Sequence, residues 1–277
     1  MAGHLEEKMT IESVNNPLVK EMAQLKDSRA RRERGKFLIE GTREIQRALA
    51  GGIKLELALV YQAGLKEEEK SVLAELAARQ VKVVRLAALP FHKLAYRENP
   101  GGLIVTATYR AKSLVDLTIG PGEMVLVAVE PEKPGNLGAM ARSAQAAGAA
   151  ALIQAGGSFD PGHPNTIRAS AGAIFTLPLA GGAQKEVMDW LEAGKFLIAA
   201  TSPSATTLLW QAKLKGKLAL VVGPEDRGLA PIWLEKAQTK LKIPMHPLTD
   251  SLNVSVAAAL VLYEAARQRE VFAVDKT

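Results

Sequence analysis

Three stretches of this chain gather polar side chains where a ligand could meet them. The first is "EPEKPGNLGAMARSAQAAG", residues 130–148. Asn136 can cap a helix there, and Arg142 interrupts a run of small and apolar residues. An arginine so placed is either presented to a cleft or snorkels to solvent. The second is "VVGPEDRGL", residues 221–229, where Gly223 and Gly228 bracket Glu225. A plain strand-to-helix turn with an acidic helix N-terminus would look the same. It is not a Walker loop, because no Lys-Ser/Thr follows the second glycine. The third, "IPMHPLTDSLNVSVAAALVLYEAARQ" at 243–268, places Ser251 and Asn253 ahead of an Ala-rich segment. Either residue would serve as the N-cap of a last helix.

Other chemistries find less support. The chain has no cysteine, which removes disulfides, Cys-zinc sites and Cys nucleophiles together. It has no GxGxxG, no HExxH and no GxSxG. Its four histidines, His4, His92, His163 and His246, are scattered, so no metal site is expected. Asp160 and His163 share a Gly/Pro-rich loop that reads as a surface turn. Trp190, Trp210 and Trp233 read as packing residues.

The elements that must position these stretches alternate. Residues 11–108 read as an α/β unit, opened by a helix start at Asn16-Pro17 and containing "KFLIEG", "REIQRALA", "LELALVY" and "GGLIVTATY". Residues 109–122 read as a linker closing on Pro121-Gly122. "EMVLVAVE" at 123–130 is a continuous apolar strand, as expected for a sheet covered on both faces. The pattern from 123 to 270 predicts a mostly parallel sheet with helices on both faces, whose ligands bind at strand carboxyl ends.

The 277 residues are 48% hydrophobic, so the chain buries a real core. No run of eighteen apolar residues predicts a membrane span, and "MAGHLEEKMT" lacks a signal-peptide core; a cytoplasmic protein is expected. Residues 1–119 hold 20 Lys+Arg against 15 Asp+Glu, and the remainder 15 against 14, so the net charge of +6 lies mostly in the first part. It peaks at "KDSRARRERGK", residues 26–36, with Arg29, Arg31, Arg32 and Arg34. Such a patch suits a polyanion such as nucleic acid. The alternative is a solvated helix face carrying an Arg29–Glu33 pair.

Together and in this order, the three stretches resemble the three motifs of the SpoU (TrmH) family of RNA ribose 2′-O-methyltransferases, in the SPOUT superfamily. The resemblance covers residues 123–268. The segments "NNPLVKEMAQLKD", "KFLIEGTREIQRAL" and "NPGGLIVTA" resemble the L7Ae-like RNA-binding domain that often precedes it. The resemblance implies an α/β fold in which a catalytic domain with a deep trefoil knot follows a smaller L7Ae-like α/β domain. Sequence periodicity by itself points to an ordinary doubly wound sheet, because threaded loops are rare.

The resemblance further implies S-adenosylmethionine as methyl donor, no metal, RNA as partner, and a homodimer with active sites near the subunit interface. Gly223, Ile243, Met245 and Leu252 would contact the donor, with Thr201 as a further candidate. Asn136, Arg142, Glu225, Ser251 and Asn253 match the family's catalytic set. Arg142 would activate the 2′-hydroxyl or hold the neighbouring phosphate; a guanidinium that stays protonated suits the phosphate. Ribosomal RNA, 23S above all, is the expected substrate. Transfer RNA, or a non-catalytic RNA-binding role, is the alternative. One position departs from the family pattern: Pro247, after His246, stands where the family commonly has glycine.

Overall fold

The protein is described from a computed structural model covering residues 10–108 and 112–271. The N-terminal ten-residue stretch read above falls almost wholly outside the described residues, as do 109–111 of the expected linker and 272–277. The chain forms two compact units. The first comprises residues 10–108 and 162–176, and the second 112–161 and 177–271.

The first unit begins with α1 (Pro17–Gln24), α2 (Ser28–Arg34), β1 (Lys36–Glu40), α3 (Thr42–Ala50) and β2 (Lys54–Val60). It continues with α4 (Glu67–Ala78), β3 (Lys82–Arg85), α5 (Ala88–Leu94) and β4 (Leu103–Thr108). Asn16 caps α1, its Oδ1 accepting from the Leu18 N–H at 2.9 Å, with Pro17 in the first turn. Four strands pair in the order β1-β4-β2-β3, with β4 antiparallel to both neighbours and β3 parallel to β2. Val19, Met22, Leu25, Phe91 and Leu94 pack under this sheet in one apolar cluster. Burial pushes the Glu40 carboxyl at the end of β1 up, against the N–H groups of Tyr96 and Arg97 that hold it down.

The second unit begins with β5 (Met124–Val129), buried at every position, then α6 (Pro134–Ala146) and β6 (Ala151–Ala155). The chain then gives α7 (Pro164–Ser170) to the first unit. Residues 161–162 form the turn expected in the Asp160–His163 loop, just ahead of this helix. His163 is the N-cap of α7, its Nδ1 accepting from the Asn165 N–H at 3.1 Å. Phe175 explains why 162–176 packs there: its ring stacks on Phe37 of β1, centroids 6.0 Å apart.

Back in the second unit come β7 (Leu179–Gly182), α8 (Gln184–Ala193), β8 (Leu197–Thr201) and β9 (Thr207–Leu208). Then follow β10 (Leu218–Val222), α9 (Pro231–Lys236), β11 (Thr239–Lys242) and α10 (Val254–Gln268). Among the described residues, the sheet has seven strands in the order β7-β6-β5-β10-β8-β11-β9, all parallel to their neighbours. The order is interleaved: β10 lies between β5 and β8, and β11 between β8 and β9, so later strands fill slots between earlier ones. One face packs α8 and α9, with Trp233 fully buried, and Trp190 lies partly buried against it. Trp210 differs from expectation: it is 57% exposed and not a core residue. α10 packs against α6 and β10. No helix among the described residues is long and apolar enough to cross a membrane.

Candidate active site

The three loops converge at the carboxyl ends of β5, β8, β10 and β11, where parallel sheets collect ligands. The central loop leaves β10 at Gly223. A Cβ on Gly223 would lie 2.8 Å from the Leu229 amide nitrogen, so the return of the loop requires glycine. Gly228 has a φ of +66°, also a glycine conformation, and its N–H donates to the Pro224 carbonyl at 3.1 Å.

This reversal aims Glu225 at the starts of two helices. Its Oε1 accepts from Asn136 Nδ2 at 3.0 Å, from Asn253 Nδ2 at 2.7 Å and from the Val254 N–H at 3.0 Å. Asn253 Nδ2 also donates to Asn136 Oδ1 at 3.2 Å. One carboxylate thus joins the first motif to the third. Asn253 meanwhile caps α10, its Oδ1 accepting from the Ser255 N–H at 3.0 Å. Its two roles are compatible because the amide carries an acceptor and a donor on separate atoms.

Asn136 departs from its expected capping role. α6 starts ahead of Asn136, with Lys133 as N-cap and Pro134 first. Asn136 lies within the first turn, so its side chain is free to reach Glu225.

Beside Glu225 lies a cavity of about 650 Å³. Thr201, Gly223, Ile243, Met245 and Leu252, the five expected donor contacts, all line it, as do Glu225 and Ser251. Its wall is completed by apolar Leu229, Leu241 and Val254. Asp226, Arg227 and Asp250 also line it and were not singled out from the sequence. An acid–base pair between two loop glycines was the available signal.

Pro247 is accommodated without strain on its neighbours. The Thr249 N–H donates to the His246 carbonyl at 2.8 Å, so His246–Thr249 form a turn with proline at its second position. That position favours the fixed proline φ and needs no N–H.

Arg142 is not gathered into this cavity. It is exposed on α6, with no hydrogen-bond or ion-pair partner among the described residues.

The basic segment of the first unit divides in two. Arg31 is only 4% exposed, and its guanidinium donates to the carbonyls of Leu25 and Lys26, each at 2.9 Å. It ties down the end of α1 and cannot meet a phosphate, which corrects its place among the expected RNA contacts. Arg29 pairs with Glu33 at 2.7 Å, the anticipated i,i+4 pair. Arg34 donates to the Glu21 carbonyl and to Gln24 Oε1. Arg32 is exposed. The N–H groups of Ala30 and Arg29 hold the Asp27 carboxyl at the start of α2 below its usual range. Arg31→Ala is expected to cost the fold about 2–3 kcal/mol, since two buried carbonyls lose a charged donor. Arg29→Ala, which loses only an exposed i,i+4 pair, should stay within about 0.5 kcal/mol. Chemical denaturation of both variants checks this, and equal midpoints would refute the structural role of Arg31.

Residues 123–263 match the SpoU rRNA Methylase family, and residues 16–105 match the MRM3-like substrate binding domain. The chain is 30% identical to the 23S rRNA (uridine(2479)-2′-O)-methyltransferase of Streptomyces viridochromogenes, over 85% of this chain and 84% of that protein. A crystal structure of an RNA 2′-O ribose methyltransferase is similar at a TM-score of 0.84 and 47% identity, covering 94% of this chain and 99% of that one. An AdoMet-bound rRNA methyltransferase from Sinorhizobium meliloti is similar at a TM-score of 0.85 and 28% identity, covering 94% and 97%.

Proposed function

We propose a reaction from one premise: this chain belongs to the SpoU rRNA methylase family. The reaction is transfer of a methyl group from S-adenosylmethionine to a ribose 2′-hydroxyl of 23S ribosomal RNA. One observation carries this reading: Glu225 binds Asn136 and Asn253 at the mouth of a cavity lined by all five expected donor contacts.

The cavity suits the donor. Its volume falls within the usual ligand-pocket range of roughly 300–1,000 Å³. Ile243, Leu252 and Leu241 offer an apolar enclosure for a purine, while Thr201 and the backbone at Gly223 offer polar contacts. When bound, the donor supplies an electrophilic sulfonium methyl. The chain's own part is placement. Asn136, Glu225, Ser251 and Asn253 orient the ribose, and Arg142 holds the adjoining phosphate with its planar fork. The surface cations of α2, Arg29, Arg32 and Arg34, support RNA binding by the first unit. A ribosomal substrate implies the cytoplasm.

We further propose a homodimer through α10. Val256, Leu260 and Tyr263 are 47%, 43% and 50% exposed at four- and three-residue spacing, an apolar stripe along one face. α6, which carries Arg142, packs against the same helix. Since Arg142 does not line its own cavity, the dimer gives it a site to serve, that of the second copy. Leu260→Asp is expected to yield monomers by light scattering and to lose methyl transfer. A wild-type monomer, or a dimer that survives the substitution, would sink the proposal.

The reaction itself is tested with labelled S-adenosylmethionine and total ribosomal and transfer RNA. Label in 23S RNA at a 2′-O-methylated nucleotide is expected. Label in transfer RNA alone would favour the tRNA alternative. No transfer, with no donor binding by calorimetry, would remove the enzyme reading.

A further inference from the structure

Arg227 is the only cation among the described residues that line the cavity. It is tethered from outside. Its Nη2 donates to Glu130 Oε2 at 2.7 Å, while Glu130 Oε1 accepts from Gln184 Nε2 at 2.8 Å. Gln184 Oε1 in turn accepts from Nε1 of the fully buried Trp233 at 2.7 Å. A line of hydrogen bonds therefore runs from the core to the cavity through Glu130.

Glu130 is strained to make it. Its φ is +43°, a left-handed conformation that glycine would hold without cost. Four other described non-glycine residues have positive φ: Gln80, Ala171, Lys195 and Glu270. Each follows the last turn of a helix, a common place for that conformation. Glu130 instead ends a strand, and what it gains there is the pair of bonds made by its carboxylate.

We infer that Asp226 and Arg227 receive the amino-acid end of the methyl donor, and that Glu130 is the positioning residue that aims Arg227. This rests on the reading that the cavity takes S-adenosylmethionine. That donor ends in an α-carboxylate and an α-ammonium. The carboxylate needs a cation, and the lining offers Arg227 alone. Glu130 occupies part of the guanidinium and leaves other N–H groups of its fork to bind. The ammonium needs an acid. Glu225 turns Oε1 to Asn136, Asn253 and Val254, which points that carboxylate at the helix starts, whereas Asp226 stands next to Arg227 in the lining, with Asp250 further along; Asp226 is therefore assigned as the acceptor.

The test compares two ligands by calorimetry: S-adenosylhomocysteine, and 5′-methylthioadenosine, which lacks the amino-acid end. The wild-type chain is expected to prefer the first by about tenfold or more. Arg227→Met should shrink that preference to about threefold or less while leaving methylthioadenosine affinity unchanged, which also shows that the variant is folded. Glu130→Gly relieves the backbone strain, so a purely structural Glu130 predicts unchanged or better binding of both ligands. The inference instead predicts weaker binding of S-adenosylhomocysteine only. A preference that survives Arg227→Met overturns it, and does so in favour of an RNA-phosphate contact if RNA affinity falls. Equal loss of both ligands overturns it as well. If the wild-type chain binds neither ligand, the donor reading of the cavity fails first.

Discussion

Alanine at Arg142 is expected to slow methyl transfer by ~10²–10³-fold while leaving donor affinity within about twofold of wild type. The argument rests on where the side chain lies. Arg142 sits on α6, exposed, outside the lining of its own cavity and without a side-chain partner among the described residues. Removing it should therefore disturb neither the fold nor the donor. What goes is a permanent positive charge with two parallel donors, suited to a phosphate beside the reacting ribose. Lysine keeps the charge and loses the fork, so Arg142→Lys should recover only a small part of the rate. Single-turnover transfer with RNA in excess, alongside calorimetry of the donor, measures both quantities. A wild-type rate, or lost donor binding, would remove Arg142 from the chemistry.

The second large effect is expected at Glu225. Glu225→Ala deletes the acceptor shared by Asn136, Asn253 and the Val254 N–H. The last is a helix-start amide, which needs a partner. The expected cost is about 2–4 kcal/mol in stability, given three donors left without their acceptor. Transfer should fall with it, because both asparagines lose their orientation. Glu225→Gln keeps an oxygen for Oε1 to be replaced by, and should lose less of both. The double variant Glu225→Ala/Asn253→Ala should be less damaged than the summed single effects, since the residues act through one bond set. Unfolding curves and transfer rates on wild type, the three single variants (Asn253→Ala included) and the double variant check this, and strict additivity would show that Glu225 and Asn253 work separately.

The sequence carried the loops better than their surroundings. Asn16-Pro17, the apolar β5 and the cap at Asn253 depend on local chemistry, and each lies where the residues indicate. The gathering of Gly223, Ile243, Met245 and Leu252 about one cavity was legible only through the three motifs in order, and Thr201, which also lines it, lies outside them at the end of β8. Arg31 was not legible. In a run of cations nothing distinguishes the one whose guanidinium turns inward, because its partners are the carbonyls ending α1. The excursion of 162–176 was equally hidden: Phe175 finds Phe37 at a separation no periodicity reports. Arg227 lay in plain view between glycines, but its tether depends on Glu130, Gln184 and Trp233, which are far apart in the chain.

The interleaved strand order also sets a timetable for the growing chain. β5 is made early and stands as neighbour of a strand, β10, that does not yet exist, while β8, the other neighbour, follows only shortly before β10 itself. At ~5–20 residues per second, the roughly ninety residues from the end of β5 to the end of β10 keep the ribosome busy for about 5–20 s. Through that interval β5 presents an open edge, joined near its end by β8, the condition under which nascent chains stick to one another. The cavity comes last of all, because its lining extends to Ala257. A chain still attached near its end therefore lacks the finished cavity, and a chaperone that covers the open edge of β5 would favour the yield of folded protein.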